Sequence, residues 1–139
     1  MSVVSDLYTY LEAEGIAGGS TGWDLMRRRE TDTPASDQLV VLSEDGGPEP
    51  EIAEASGIGD SALKDIGVQA MVRAGAWDGD ASATKAQAIV TALHGEREIT
   101  VGLTTYMRVR ARTAEPVFVG FDALGRPRHT VAFLFLELV

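Results

Sequence analysis

The sequence predicts an α+β fold: a mixed, mostly antiparallel sheet of about six strands with two helices packed on one face. Three observations carry that expectation. Two segments repeat apolar residues at helical spacing. Several others alternate at a period of two or form short apolar runs bounded by turn residues. The strands also follow one another in runs rather than alternating with helices, so parallel βαβ units do not dominate. At 139 residues the chain fits one domain with a single core over 1–139.

Val3, Val4, Leu7, Tyr8 and Leu11 share one helical face, with Glu12 and Glu14 outside it and Gly15 as a C-terminal stop, which predicts a helix over 3–14. GIAGGSTG, 15–22, holds too many glycines for regular structure and reads as a loop. Trp23 to Arg29 reads as a strand, TDTPAS as a turn, and QLVVLSE, 38–44, as a second strand built on a short apolar run. From Asp45 to Asp65 the text turns acidic, carries two prolines and loses periodicity. A long exposed loop is expected there, of a length that in compact domains usually serves function.

Alternation resumes in IGVQAMVRAG, with Ile66, Val68, Ala70, Val72 and Ala74 on the buried face of a strand. Asp78 or Asp80 is suited to cap the helix DASATKAQAIVTALHG, whose core face would be Ala81, Ala88, Ile89, Ala92 and Leu93, with Gly95 ending it. From 99 to 112, Ile99, Val101, Leu103, Thr105, Met107, Val109 and Ala111 alternate with Thr100, Gly102, Thr104, Tyr106, Arg108, Arg110 and Arg112. One strand is expected, the first set inward and the second outward. EPVFVGF, 115–121, DALGRP and HTVAFLFLELV complete a hairpin, with Gly125 suited to a left-handed position.

Composition narrows the function classes. Hydrophobic residues make up 45% and charged residues 24%, values of a folded chain rather than a disordered one. There is no cysteine, so neither a disulfide nor a thiolate metal site is available. The N-terminal stretch lacks a basic leader and a long apolar run, so cytosol is the expected compartment, with no membrane contact. Twelve Lys and Arg against 21 Asp and Glu give a formal charge of -9, which disfavours non-specific adhesion to DNA or anionic lipid.

The motifs that invite chemistry have better structural readings. GGSTG, 18–22, lacks the lysine of a nucleotide loop and reads as a turn. DGDASAT, 78–84, starts like a calcium loop, but Ala83 and Ile89 stand where glycine and a bidentate glutamate belong, so helix capping is the better account. His94 and His129 have neither a partnered nucleophile nor further ligands in local spacing. No catalytic, cofactor-binding or metal residue is therefore assigned, and the chain is expected not to be an enzyme.

Charge is unevenly placed. No basic residue falls between Arg29 and Lys64, whereas Arg108, Arg110, Arg112, Arg126 and Arg128 gather between 108 and 128. The arginine face is read either as a solvated strand face or as a contact for an acidic partner. Glu44, Asp45, Glu49 and Glu51 are its candidate complement, because acidic and basic regions on opposite sides let copies pair head to tail. The last strand is apolar on both faces, so it must lie centrally under the helices or be covered in part by another subunit.

These elements together resemble a known family. The order of a helix, LVVLSEDGGPEPE ending at Glu51, GVQAMVRAG (67–75), the ALHG helix end (92–95) and PVFVGFDALGRPRHTVAFLF (116–135) resembles the minor capsid or tail-terminator proteins of long-tailed, siphovirus-type bacteriophages. The likeness spans nearly the whole chain, except that EIAEASGIGDSALKD, 51–65, matches no part of the pattern. The resemblance implies a structural virion protein without enzyme activity or cofactor. It would form a homo-hexameric ring that caps the tail tube, ends its polymerisation and offers a surface to the head connector, with DNA only passing through the channel. Its place would be the head-proximal end of the tail, assembled in the host cytoplasm. The competing expectation, drawn from the residues alone, is a small-ligand or peptide-binding domain that uses 45–65 as a lid.

Overall fold

The computed structural model describes residues 3–19, 21–27, 37–44, 63–113 and 115–138. The elements run α1 (Val3–Ala13), β1 (Asp24–Arg27), β2 (Leu39–Glu44), β3 (Leu63–Arg73), α2 (Gly79–Leu93), β4 (Arg97–Val101), β5 (Thr104–Ala111), β6 (Val117–Phe121) and β7 (Pro127–Leu138). Seven strands form one curled sheet in the order β1-β2-β3-β7-β5-β4, with β6 beside β7 off that path. Only β1 and β2 pair in parallel; the remaining pairs are antiparallel. The fold is thus a mixed, mostly antiparallel α+β arrangement.

Two-sided hydrophobicity places β7 at the centre. One edge pairs with β3 along its whole length, from Leu63↔Leu138 to Arg73↔Arg128. The other edge is shared: β6 takes Pro127 to Thr130 and β5 takes Phe133 to Glu137. Val131, Phe133 and Phe135 sink into the core beneath the helices, while Leu134 is buried on the opposite face.

Both helices lie on one face. α1 contributes Val3, Val4, Leu7 and Leu11, and α2 contributes Ala86, Ile89, Val90 and Leu93, to a core with Val40, Leu42, Val68, Ala70, Val72 and Val109. α1 touches β1 and β4, the two ends of the strand path, because the sheet curls around it. Within that core the Tyr106 hydroxyl donates to Asp6 Oδ2 at 2.5 Å. Burial, then the Asp6 hydrogen bond and charge, push the Tyr106 phenol far above its ordinary range. On the sheet's other side Arg73 is fully buried and donates from Nε to the Asp37 carbonyl at 3.2 Å.

The structure corrects several expectations. The segment 99–112 is a hairpin, β4 and β5, not one strand. Gly102 sits at φ 60 in a two-residue turn between Val101 and Thr104. The turn sets Val101 and Thr104 on one face and so shifts the alternation by one residue, but the irregularity between Tyr106 and Arg108 shifts it back, and the two offsets together hide the hairpin from alternation. Leu103, expected in the core, is therefore fully exposed at the tip. The offset made by the turn puts Tyr106 opposite Ile99 and inward, against its expected polar face, and the register shift between Tyr106 and Arg108 then returns Val109 to the core.

β3 starts at Leu63, so 63–65 belong to a strand, and the rest of the expected loop lies outside the described residues. In α2, Ala88 faces out, and Ser82, Ala86 and Val90 join Ile89 and Leu93 on the buried side. Asp78 is the cap, accepting from the Ala81 amide at 3.2 Å.

Candidate functional site

β6 is apolar, yet nothing among the described residues covers it. Val117, Phe118, Val119 and Phe121 are each close to half exposed. The helices explain why: α1 packs chiefly on β1 to β4, and α2 on β3, β7 and β5, so the shelf formed by β6 lies beyond both. Among the described residues β6 pairs with β7 alone, and its other edge has no strand beside it.

The connection from β6 to β7 holds this shelf rigidly. Asp122 Oδ1 accepts from the amides of Leu124 and Arg126, both at 2.9 Å, while its Oδ2 accepts from Arg126 Nε at 2.7 Å. Burial works to raise the Asp122 carboxyl, but those amides and the Arg126 guanidinium outweigh it and hold the group below its usual range. Gly125 adopts φ 74, and a Cβ there would meet the Trp77 ring at 3.0 Å. Trp77, itself left-handed at φ 61, is thereby laid across the turn, and its amide donates to the Gly125 carbonyl at 2.9 Å.

An aromatic ladder results. Trp77 to Phe121, Phe121 to Phe118 and Phe118 to His129 have ring centroids 5.1, 5.3 and 5.3 Å apart. Trp77 nonetheless remains 75% exposed. Beside the ladder, α2 turns a flank of small side chains outward, and between that flank, Glu115, Pro116 and His129 opens a groove of about 720 Å³. His129 Nδ1 lies 2.7 Å from Ser82 Oγ. This is not a hydrolytic pair, because Ser82 is fully buried and its hydroxyl also reaches the Gly79 carbonyl at 3.1 Å. Burial lowers the His129 pKa, which favours the neutral ring.

The β4–β5 hairpin is the second unusual surface. Arg97 and Arg108 are register partners, so two like charges stand directly opposite each other. Both are exposed, as is Arg110 two residues on. The tip carries Leu103 at 106% exposure.

The sequence-derived candidates divide between these places. Arg108, Arg110 and Arg112 are exposed on or just after β5. Arg126 is not presented at the turn: it is 4% exposed and bridges Asp122 at 2.7 Å and Asp37 at 3.4 Å. The carboxylates that close the turn draw it inward. Arg128 is half-buried on β7 opposite Arg73. Glu44 is exposed at the end of β2, and Asp45, Glu49 and Glu51 lie outside the described residues.

Sequence reasoning did not single out Trp77, Leu103, Phe118, Phe121 or Arg97. The available signal was EPVFVGF, a strand with no polar face to give to solvent. Among the described residues no group of three His, Asp or Glu is placed to hold a metal ion, and no helix is long and apolar enough to cross a membrane. Compared with known proteins, the sequence matches no family model and no curated protein.

Proposed function

We propose that the chain is a non-enzymatic, structural virion protein of the tail-terminator kind. Its copies join head to tail in a hexameric ring that caps the tail tube, stops tube growth and presents a face to the head connector, at the head-proximal end of the tail. The observation that carries this reading is the pairing of two unlike exposed surfaces on one small chain: the aromatic shelf on β6 and the arginine-bearing β4–β5 hairpin. A heterologous ring requires two different surfaces per subunit. The net charge of -9 also suits a channel through which DNA passes without sticking.

Electron micrographs of tails assembled with and without the protein test the reading. Its omission should give overlong tubes, and adding it back should restore a terminal cap. Tubes of normal length in its absence would show that it has another role. A second reading, a small-ligand or peptide-binding domain, draws on the groove of about 720 Å³. Its lid at 45–65 falls largely outside the described residues. A metabolite that raises the melting temperature of a chain that ignores tube ends would favour it.

A further inference from the structure

We infer that the groove between α2 and β6 receives the tip of the β4–β5 hairpin from a second copy of this chain. The inference rests on the ring reading and names the contact that would build the ring.

Charge and shape both select this occupant. The groove is apolar along Ala83, Ala88, Ala92 and Pro116, and from His129 in its lining the rings of Phe118 and Phe121 continue beside it. Among the described residues that line it, Glu115 is the one acidic or basic group apart from His129. Asp78 and Asp80, both exposed, add negative charge at the start of α2 beside Trp77. No lysine or arginine stands among its described lining residues. The occupant should therefore be an apolar projection on a basic stem. The hairpin has that form: Leu103 stands free at the tip, and Arg97 and Arg108 face each other on the stem. Juxtaposed arginines repel one another, and acidic groups brought between them would relieve that repulsion.

Register excludes insertion within one chain. β6 pairs with β7 up to Thr130, whereas β5 enters its pairing at Glu137, with the tip beyond that point. Seven residues of strand place the two features about 23 Å apart along β7. A tip that cannot reach its own groove reaches a neighbour's, and repetition of that step yields a ring where the rotation closes.

The other sheet edges point the same way. β4 bears Arg97 and Glu98, and Glu98 adopts φ 55 where the pairing skips it, while β1 is only four residues long. Charge, irregularity and shortness are the usual protections of an exposed edge. β6, with no charged residue, has none of them.

The absence of cysteine permits a direct test. Leu103→Cys alters a fully exposed position and should keep the wild-type thermal transition, and Phe118→Cys, half exposed and in contact with two rings, should fold with a modestly lowered one. After mild oxidation each alone should remain monomeric, a mixture of the two should give one heterodimer, and the double variant should give a ladder of multimers. Leu103→Cys with Phe121→Cys provides an independent second pair. Folded variants that give no heterodimer in either pairing, or Leu103→Cys dimers that form as readily alone as in the mixture, would overturn the inference. Tube capping without cross-linking would overturn this contact and leave the ring reading standing. Cross-linking without capping would do the reverse.

Discussion

Replacing Tyr106 with Phe should cost far more stability than the loss of one hydroxyl at a surface. The phenol donates to Asp6 Oδ2 at 2.5 Å, a length typical of a charge-assisted bond. Asp6 is 1% exposed and its Oδ1 has no hydrogen-bond partner among the described residues. Removing the phenol strands the whole carboxyl group in the core between α1 and β5. A hydrogen bond to a charged group contributes about 1.5–3 kcal/mol, and an orphaned buried acceptor adds its own desolvation. Tyr106→Phe should therefore destabilise by roughly 2–3 kcal/mol, which lowers the melting temperature of a chain this size by about 6–12 °C.

Asp6→Leu combined with Tyr106→Phe removes both partners and should be more stable than Tyr106→Phe alone. Chemical denaturation of the four proteins in the cycle measures the coupling. A Tyr106→Phe chain within about 0.5 kcal/mol of wild type, or a double variant whose losses simply add, would refute the reasoning.

The same pair has an alkaline signature. The folded Tyr106 pKa lies above its unfolded value of 10.0, so its stabilisation is fully present below pH 10.0 and is lost as pH rises, because the unfolded chain gives up a proton that the folded chain keeps. The slope from this group approaches about -1.4 kcal/mol per pH unit above that point. Tyr10, also raised by burial, acts in the same direction, and Lys85, lowered by burial, acts against it. The difference between wild type and Tyr106→Phe isolates the contribution of the one phenol.

At the acid end, burial holds His129 below 6.5, so stability present above that value should be lost as pH falls; His129→Gln should flatten that part of a pH-dependent melting profile. Phe133→Ala empties a fully buried position on β7 and should cost about 3–5 kcal/mol by denaturant titration, and deletion of 131–139 should abolish the cooperative transition. Gly125→Ala adds a Cβ at positive φ against the Trp77 ring, so a loss of about 1–2 kcal/mol with a changed tryptophan emission is expected. Arg97→Glu converts a like-charge cross-strand pair into an opposite one and should raise the monomer's stability by about 0.2–1 kcal/mol. If the hairpin docks as inferred, the same change should weaken self-association in sedimentation.

The parts of the fold legible in the sequence are those where one rule decides. Val3, Val4, Leu7 and Leu11 could share a face only on a helix, and the two-sided apolar text of 131–136 required a central strand; both stand in the structure. Boundaries failed where two structures share one pattern. The turn at Gly102 offsets the alternation by one residue and the irregularity before Arg108 offsets it back, so 99–112 reads alike as continuous strand and as hairpin. Only glycine's readiness for φ 60 at position 102 separates them, and glycine also occurs within strands, as at Gly67.

The candidate site was hidden for a related reason. Hydrophobic pattern reports which residues avoid water in an average fold, whereas exposure depends on what lies overhead. Val117, Phe118 and Phe121 have the composition of a buried strand, and they stay open because neither helix extends past β5 and β7 to cover β6. Arg126 makes the complementary error. As text it is a surface charge beside a glycine turn, but the largely shielded Asp122 and the exposed Asp37, distant in sequence, supply the carboxylates that draw it inside. Charge counting therefore located a basic region while misplacing one of its members. The corrected basic surface is Arg97, Arg108 and Arg110, assembled only when the Gly102 turn brings Arg97 back beside Arg108. The turn that alternation could not register thus both lifts Leu103 out of the core and creates the charge pair on the stem. One backbone reversal gives the hairpin both features by which a neighbouring groove would recognise it.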